Sequence, residues 1–142
     1  MGGCEAGFPI RQGIVMRIML DTNAYSGFKR GDREIIDMIA HADEVLITPI
    51  VLGELRAGFR GGNRENANIL ELEEFISSPR VSVAAIGEET ALFYSEIFLT
   101  LRTQGKPIPT NDLWIAASTL ETGSILVSRD IHFDAVAGLI RR

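Results

Sequence analysis

The sequence predicts an α/β fold built on a parallel sheet. Short apolar runs alternate along the chain with longer segments of helical periodicity, which is the pattern of strands joined by crossover helices. The first of these runs, Ile18–Leu20, shows no alternation with polar residues, as expected for a strand buried on both faces of a parallel sheet. Hydrophobic residues make up 46% of the 142 residues, which is enough for the core of one domain.

The first half of the chain predicts two strands and four helices. A short helical segment follows Asn23, Asp32 can cap the next helix, Pro49 suits a first helical turn, and Asn63 can cap a fourth helix. In order, the predicted elements are a strand over 15–20, helices over 23–30 and 33–41, a strand over 45–48, and helices over 49–59 and 64–77.

The second half predicts two more strands, two helices and a weak final element. Gly123 is a natural stop for the second of these helices. The elements are a strand over 81–84, helices over 88–104 and 110–122, a strand over 124–127, and a turn or short helix leading to Leu139–Ile140, a candidate fifth edge strand.

The N-terminal residues and the composition limit the classes of protein to which this chain can belong. Residues 1–15 contain four glycines and a proline without periodicity, so we expect a disordered extension followed by a single domain over residues 16–142. Cys4 is the only cysteine and cannot form an internal disulfide, in keeping with a reducing compartment. No apolar run approaches the roughly 20 residues that cross a bilayer, so we expect no membrane association and a cytoplasmic protein.

The net charge of −5 argues against a protein that holds nucleic acid by bulk electrostatics. A local basic patch remains compatible with it.

Four acidic residues occupy positions from which they could form a site: Asp21, Glu54, Asp112 and Asp130. Each has a structural alternative. Asp21 and Asp130 follow strands and could be turn or cap residues, and Asp112 could complement a helix dipole. Glu54 lies on or beside an apolar helical stripe, where a carboxylate needs hydrogen bonds, a metal or an ion-pair partner such as Arg17 or Arg56.

Taken together, the four acids indicate a metal site. In a sheet ordered 3-2-1-4-5 the first and fourth strands are neighbours, so all four carboxylates would converge beyond the carboxyl ends of the strands. Convergent carboxylates need cations between them, and an oxygen-only ligand set favours Mg²⁺ or Mn²⁺. Such a site suits hydrolysis of phosphodiesters by metal-activated water. Neighbouring polar residues could orient the carboxylates and the water, namely Thr22, Asn23, Asn111 and Ser128.

Four stretches in order along the chain resemble a known family: Met-Leu-Asp-Thr-Asn at 19–23, Leu-Gly-Glu-Leu-Arg at 52–56, Asn-Asp-Leu-Trp-Ile-Ala-Ala at 111–117 and Ser-Arg-Asp-Ile-His-Phe at 128–133. They resemble the PIN domain, especially the VapC ribonuclease toxins of type II toxin–antitoxin pairs. The resemblance covers residues 16–140.

This resemblance implies a three-layer α/β/α domain with four to five parallel strands in the order 3-2-1-4-5. It also implies Mg²⁺- or Mn²⁺-dependent endoribonuclease activity, with Asp21, Glu54, Asp112 and Asp130 as the acidic set. A homodimer and an antitoxin that covers the cleft are further implied.

Basic residues near the acids are candidates for RNA contact at the rim of the site. They are Arg56, Arg60, Arg64 and Arg129. Ordinary solvated arginines are the alternative for each of them. We assign His41 and His132 surface or packing roles, because the proposed hydrolysis needs no imidazole.

Two other functions compete with the nuclease. The first is a PIN-like module that binds RNA or protein without catalysis. The second is a phosphatase or phospho-acceptor domain with Asp21 as nucleophile. Asn23 weakens the second, because the Asp-x-Asp pair common in phosphatases is absent.

Overall fold

Residues 15–142, the part of the chain that the computed structural model describes, alternate between strands and helices as the sequence predicts. The expected N-terminal extension, including Cys4, therefore lies outside the described residues except for Val15. The strands are β1 (Arg17–Leu20), β2 (Glu44–Ile47), β3 (Val81–Val83) and β4 (Ile125–Val127). The helices are α1 (Thr22–Arg30), α2 (Arg33–His41), α3 (Pro49–Arg60), α4 (Glu65–Ile76), α5 (Glu88–Thr103) and α6 (Thr110–Thr122), and a 3₁₀ helix (Ile131–Ala135) follows β4.

The four strands form one parallel sheet in the order β3-β2-β1-β4, which confirms the predicted order of these strands. Ile18 pairs with both Val45 and Ile125, and Leu20 pairs with Val127. β1 and β4 therefore end side by side, and the residues that follow them, Asp21 and Ser128, start from the same edge.

The expected fifth strand at Leu139–Ile140 is reduced to one isolated parallel bridge, between Leu126 and Arg141, within the described chain. The Leu126 N–H donates to the Ile140 carbonyl at 2.8 Å, and the Arg142 N–H donates to the Leu126 carbonyl at the same distance. The chain therefore runs beside β4 where a fifth strand would lie, but it pairs over too few residues to form one.

Helices cover both faces of the sheet and give it three layers. Side chains alternate between the faces of a strand, so Met19 and Leu126 join a core cluster with buried residues of α3 to α6. Ile18 and Leu20 join a second cluster with residues of α1 and α2. Because both faces are buried at β1, β2 and β4, these strands carry runs of buried apolar side chains. The edge strand β3 is more exposed and has Ser82 between two valines.

Most helix ends follow local sequence signals. The Asp32 carboxylate caps α2 by accepting from the N–H groups of Glu34 and Ile35, and the Thr48 hydroxyl caps α3, where Pro49 fills the first turn. Gly123 ends α6 in the left-handed conformation, with φ of 65°.

The prediction that Asn63 caps the fourth helix is wrong. The cap position of α4 is Arg64, which makes no side-chain cap hydrogen bond. The N–H groups of Gly61 and Gly62 bond back to α3, so the turn between the helices is longer than the sequence suggests and α4 begins at Glu65.

Within residues 15–142, no helix combines the length and apolar character that crossing a bilayer requires.

Candidate active site

The candidate site is a cavity of about 300 Å³ beyond the carboxyl ends of β1 and β4. All four acids singled out in the sequence line it, together with Thr22, Asn23 and Ile115. Among the described residues that line this cavity there is no lysine or arginine. The sheet order brings the acids together, because two follow neighbouring strands and two lie on helices that enter from the same edge.

Asp21 is the most deeply placed of the four acids, with a relative exposure of 6%. Its Oδ1 accepts a 2.7 Å hydrogen bond from the Ala24 N–H and so caps α1. Burial raises the pKa of Asp21, the Ser128 hydroxyl and the Ala24 N–H oppose that rise, and the charges of Asp130 and Glu54 add to it. The cap role considered from the sequence and a place in the site therefore coexist in this residue.

Glu54 is half-buried on α3, and each of its carboxylate oxygens has its own donor. The Thr22 hydroxyl donates to Oε1, and the Asn111 side-chain amide donates to Oε2 at 2.9 Å. The ion pair considered from the sequence does not form, because Arg17 pairs with Glu44 and Arg56 with Glu73. Two neutral donors from α1 and α6 hold Glu54 in place and leave its charge uncompensated.

Asp112 lies in the first turn of α6. Burial is the largest cause that raises its pKa, and the charges of Asp130, Glu54 and Asp21 raise it further, while His132 lowers it. The carboxylates of the cavity are thus close enough to repel one another.

Asp130 follows β4 and caps the 3₁₀ helix. Its N–H donates to Ser128 Oγ at 3.0 Å, and its Oδ1 accepts the His132 N–H at 2.9 Å. His132 Nδ1 lies 3.0 Å from the same carboxylate oxygen. Sequence reasoning gave His132 no role at the site, and the histidine two residues after the acid was the available signal for this contact.

The cavity fits a hydrated hard cation better than a fully protein-coordinated one. Its donors are all oxygens, as Mg²⁺ and Mn²⁺ prefer. However, no three acidic or histidine side chains in residues 15–142 form a ready-made ligand group. Mg²⁺ usually keeps several waters and takes one or two carboxylates. A cavity of about 300 Å³ has room for these waters, each of which occupies about 30 Å³.

The comparison with known families is consistent with this geometry. Residues 18–139 match the family model described as the PIN domain. The chain belongs to the PIN-domain family. This confirms the resemblance drawn from the four sequence stretches, and the match spans the sheet from Ile18 onward and every described residue that lines the acidic cavity.

Individual relatives of this PIN domain match it over most of their own length. Ribonuclease VapC2 of Haemophilus influenzae is 31% identical over 128 residues, which cover 88% of this chain and 96% of the relative. The structure of VapBC-1 from nontypeable Haemophilus influenzae matches with a TM-score of 0.79 at 29% identity, covering 89% of this chain and 97% of that one. VapBC-5 from Mycobacterium tuberculosis, a member of the VapBC family of toxin-antitoxin systems, matches with a TM-score of 0.68 at 25% identity, covering 89% and 98%.

The four arginines considered for RNA contact differ in their surroundings in this PIN domain. Arg129 donates to both oxygens of Asp32 at 3.0 and 2.8 Å and lies 2.9 Å from a Glu34 oxygen. Arg56 lies 3.6 Å from Glu73. Arg60 and Arg64 are exposed on either side of the turn between α3 and α4. Arg129 is thus already engaged by two carboxylates, while Arg60 and Arg64 are the more open to a new anion.

Proposed function

We propose that this chain is a metal-dependent endoribonuclease that acts as the toxin of a toxin–antitoxin pair. One observation carries the proposal: four carboxylates line a single cavity, within a PIN domain whose relatives are named ribonucleases. The other described residues that line the cavity include no lysine or arginine. The cytoplasm, where RNA is made and used, is the proposed place of action.

Asp21, Glu54, Asp112 and Asp130 are the residues that would hold the cation, which we propose to be Mg²⁺ or Mn²⁺. When bound, such a cation supplies a water of lowered pKa and stabilises charge on phosphate oxygens. It would also favour the ionised forms of Asp21 and Asp112, whose pKa values are raised in its absence, so binding is expected to release protons.

The polar residues around the acids keep them oriented. Thr22 and Asn111 fix both oxygens of Glu54, and Ser128 bonds the main chain of Asp130 while its hydroxyl also acts on Asp21. Asn23 lines the cavity from the exposed first turn of α1, where its amide can contact a phosphate or an attacking water. Such supporting contacts typically affect metal affinity or activity by about 10–100-fold.

RNA is proposed to approach across the α3–α4 turn, where Arg60 and Arg64 are exposed. Arginine contacts there would bind phosphates and position the chain without reading sequence. Arg56 and Arg129 would have to exchange an existing carboxylate partner to do the same, so we assign them a smaller share of binding.

The partner is proposed to be an antitoxin protein, because VapBC-5, a structural relative, belongs to a family of toxin-antitoxin systems. A homodimer is the proposed assembly. Leu92 and Leu99 lie seven residues apart on one face of α5 and are 64% exposed, with the 41% exposed Phe98 beside them. Sedimentation of the purified chain would test the dimer.

The decisive experiment is RNA cleavage by the purified chain with and without a divalent cation. We expect cleavage with Mg²⁺ or Mn²⁺, loss of cleavage with excess chelator, and loss in Asp21→Asn. Asp37→Asn is the matched control, because Asp37 is an exposed carboxylate near the opposite ends of β1 and β4.

Cleavage that survives both the chelator and Asp21→Asn would overturn the proposal. RNA binding without any cleavage would favour the non-catalytic module instead, and a trapped aspartyl-phosphate would favour the phospho-acceptor.

A further inference from the structure

The segment that carries Asp130 is held at both ends by one side chain, that of Arg141. Its Nη1 donates to the Ser128 carbonyl at 2.9 Å. Its Nε and Nη2 donate to the two oxygens of Asp134 at 2.8 and 2.9 Å. Ser128 and Asp134 bracket Asp130, so the guanidinium bridges the start and the end of the segment that enters the cavity.

The pairing of the last residues with β4 places Arg141 there. The Leu126–Arg141 bridge runs parallel to the strand, and the Ser128 N–H donates to the Arg142 carbonyl at 2.9 Å. Both main-chain polar groups of Ser128 are therefore bonded to residues 141 and 142.

The Ser128 side chain contacts two acids of the site, Asp21 and Asp130. It is 2% exposed, its Oγ accepts from the Asp130 N–H at 3.0 Å, and its hydroxyl acts on the Asp21 carboxylate. A shift of the Ser128 main chain would therefore move a donor of Asp21 and the anchor of Asp130 together.

Arg141 remains outside the cavity and does not touch the reacting groups. It is absent from the residues that line the cavity. Two of its guanidinium nitrogens bind the two oxygens of Asp134, and this paired geometry is the one in which arginine binds a carboxylate most firmly. Its positive charge attracts Asp130 from a distance, but its hydrogen bonds to this segment go only to Ser128 and Asp134 among the described residues.

We propose that Arg141 is a positioning residue for Asp130, acting through the Ser128 carbonyl and the Asp134 carboxylate. The inference rests on the proposed function, since it gives the arginine a part in arranging the cation-binding acids. A purely structural role, holding the C-terminal residues onto β4, is the competing explanation.

The test compares Arg141→Ala and Arg141→Lys with Arg80→Ala in the full chain. Arg80 is the matched control because one of its guanidinium nitrogens donates to the Ile39 and Ala42 carbonyls at 3.0 and 2.6 Å, far from Asp130 in the fold. Two quantities are measured for each variant: Mn²⁺ affinity, from the free Mn²⁺ signal in electron paramagnetic resonance, and the separate kcat and KM of RNA cleavage.

We expect Arg141→Ala to weaken Mn²⁺ binding and lower kcat by about 10-fold or more, the range seen for supporting residues of metal sites, with KM little changed. Arg141→Lys keeps the positive charge but lacks the paired donors of the guanidinium. Its Mn²⁺ affinity and kcat should therefore lie between those of Arg141→Ala and the wild type. Arg80→Ala should lower the unfolding midpoint and leave Mn²⁺ affinity and kcat unchanged.

The two proposals fail in different ways. If the wild-type chain binds Mn²⁺ and cleaves RNA, and Arg141→Ala does both equally well, the positioning role is wrong and the nuclease stands. If the wild-type chain binds Mn²⁺ but cleaves none of the RNAs offered, the affinity measurement alone decides the role of Arg141. If the wild-type chain binds no Mn²⁺ and cleaves no RNA with either Mg²⁺ or Mn²⁺, the nuclease proposal fails and this inference fails with it.

Discussion

Asn111 and Glu54 lie 57 residues apart in the sequence, yet the Asn111 amide donates to Glu54 Oε2 at 2.9 Å. This bond joins the first turn of α6 to the middle of α3, at one of the acids that line the cavity. Because Thr22 holds the other oxygen, the Glu54 carboxylate is fixed by two elements that the sheet order brings together.

Removing this donor should impair catalysis more than folding. We expect Asn111→Ala to lower kcat by about 10-fold, since Glu54 loses one of its two orienting bonds. Asn111 is exposed, so the free energy of unfolding should change by less than about 0.5 kcal/mol. Asn66→Ala, an exposed asparagine on α4, is the control for steady-state cleavage and chemical denaturation. An unchanged kcat in Asn111→Ala would show that Glu54 needs no such support.

Asp21 combines a cap with a site role, and two substitutions separate them. Asparagine caps a helix about as well as aspartate, whereas alanine loses the cap at a cost of about 1 kcal/mol. We expect both Asp21→Asn and Asp21→Ala to abolish cleavage, but only Asp21→Ala to lose stability through the cap. Thermal unfolding in chelator measures the difference. Equal stability of the two variants would mean that the bond from the Ala24 N–H contributes nothing.

The raised pKa of Asp21 predicts a pH-dependent gain in Asp21→Asn without metal. A carboxyl group whose pKa is raised by folding weakens the fold as the pH rises, because the unfolded chain releases the proton more readily. The penalty starts near the ordinary value of 3.8 and is complete above the raised value.

Accordingly, Asp21→Asn should be more stable than the metal-free wild type at pH 7, because burial raises the pKa of Asp21 and asparagine carries no charge to bury. The gain should shrink as the pH falls and vanish below about 3.8. Urea unfolding at several pH values measures it. A gain that grows toward acidic pH would contradict a raised pKa.

Arg60 and Arg64 should contribute to RNA affinity through phosphate contacts. We expect Arg60→Gln with Arg64→Gln to weaken binding by the inactive Asp21→Asn chain and to reduce the slope of log K against log salt by about 0.7 per lost contact with single-stranded RNA. Arg129→Gln is the comparison, because Arg129 already binds Asp32 and Glu34. Fluorescence anisotropy across a salt series measures both. A larger change in slope for Arg129→Gln would reverse our assignment.

Ser118 offers a stability test away from the site. It is fully buried in α6, and its Oγ is a buried side-chain atom without a hydrogen-bond partner within residues 15–142. An unpaired buried hydroxyl costs about 1–3 kcal/mol, so Ser118→Ala should be neutral or stabilising by up to about that amount, with cleavage unchanged. Chemical denaturation measures the effect. A clear loss of stability would show that the hydroxyl has a partner, such as a buried water.

Local signals were enough to predict most of the secondary structure. Asp32, Pro49 and Gly123 act through their own backbone or their nearest neighbours. Asp32 and Pro49 mark the starts of α2 and α3, and Gly123 marks the end of α6, in the structure as in the sequence. Asn63 failed as a cap because the preceding glycines bond back to α3. The choice between two adjacent cap positions therefore depended on how the earlier helix ended.

The four acids could be found in the sequence because Asp21 and Asp130 directly follow strands, Asp112 lies in the first turn of a helix, and Glu54 interrupts an apolar helical stripe. Their hydrogen-bond partners could not be found in this way. Thr22 and Asn111 reach Glu54, and Arg129 reaches Asp32, across sequence separations of 32 to 97 residues. No local pattern specifies such pairs, so the sequence did not reveal that neutral donors hold Glu54 in place of an ion pair or that Arg129 pairs with Asp32.

The sequence alone therefore determined the α/β class, the strand order shared by its family and the set of four acids, because these depend on periodicity, on turn and cap chemistry, and on motifs at fixed spacing. Only the tertiary structure decided how deeply Asp21 is buried, which donors hold Glu54, and that Arg141 bridges Ser128 to Asp134. These depend on the register between β1 and β4 and on the chain that pairs beside β4. That register brings together side chains whose separation along the chain carries no signal.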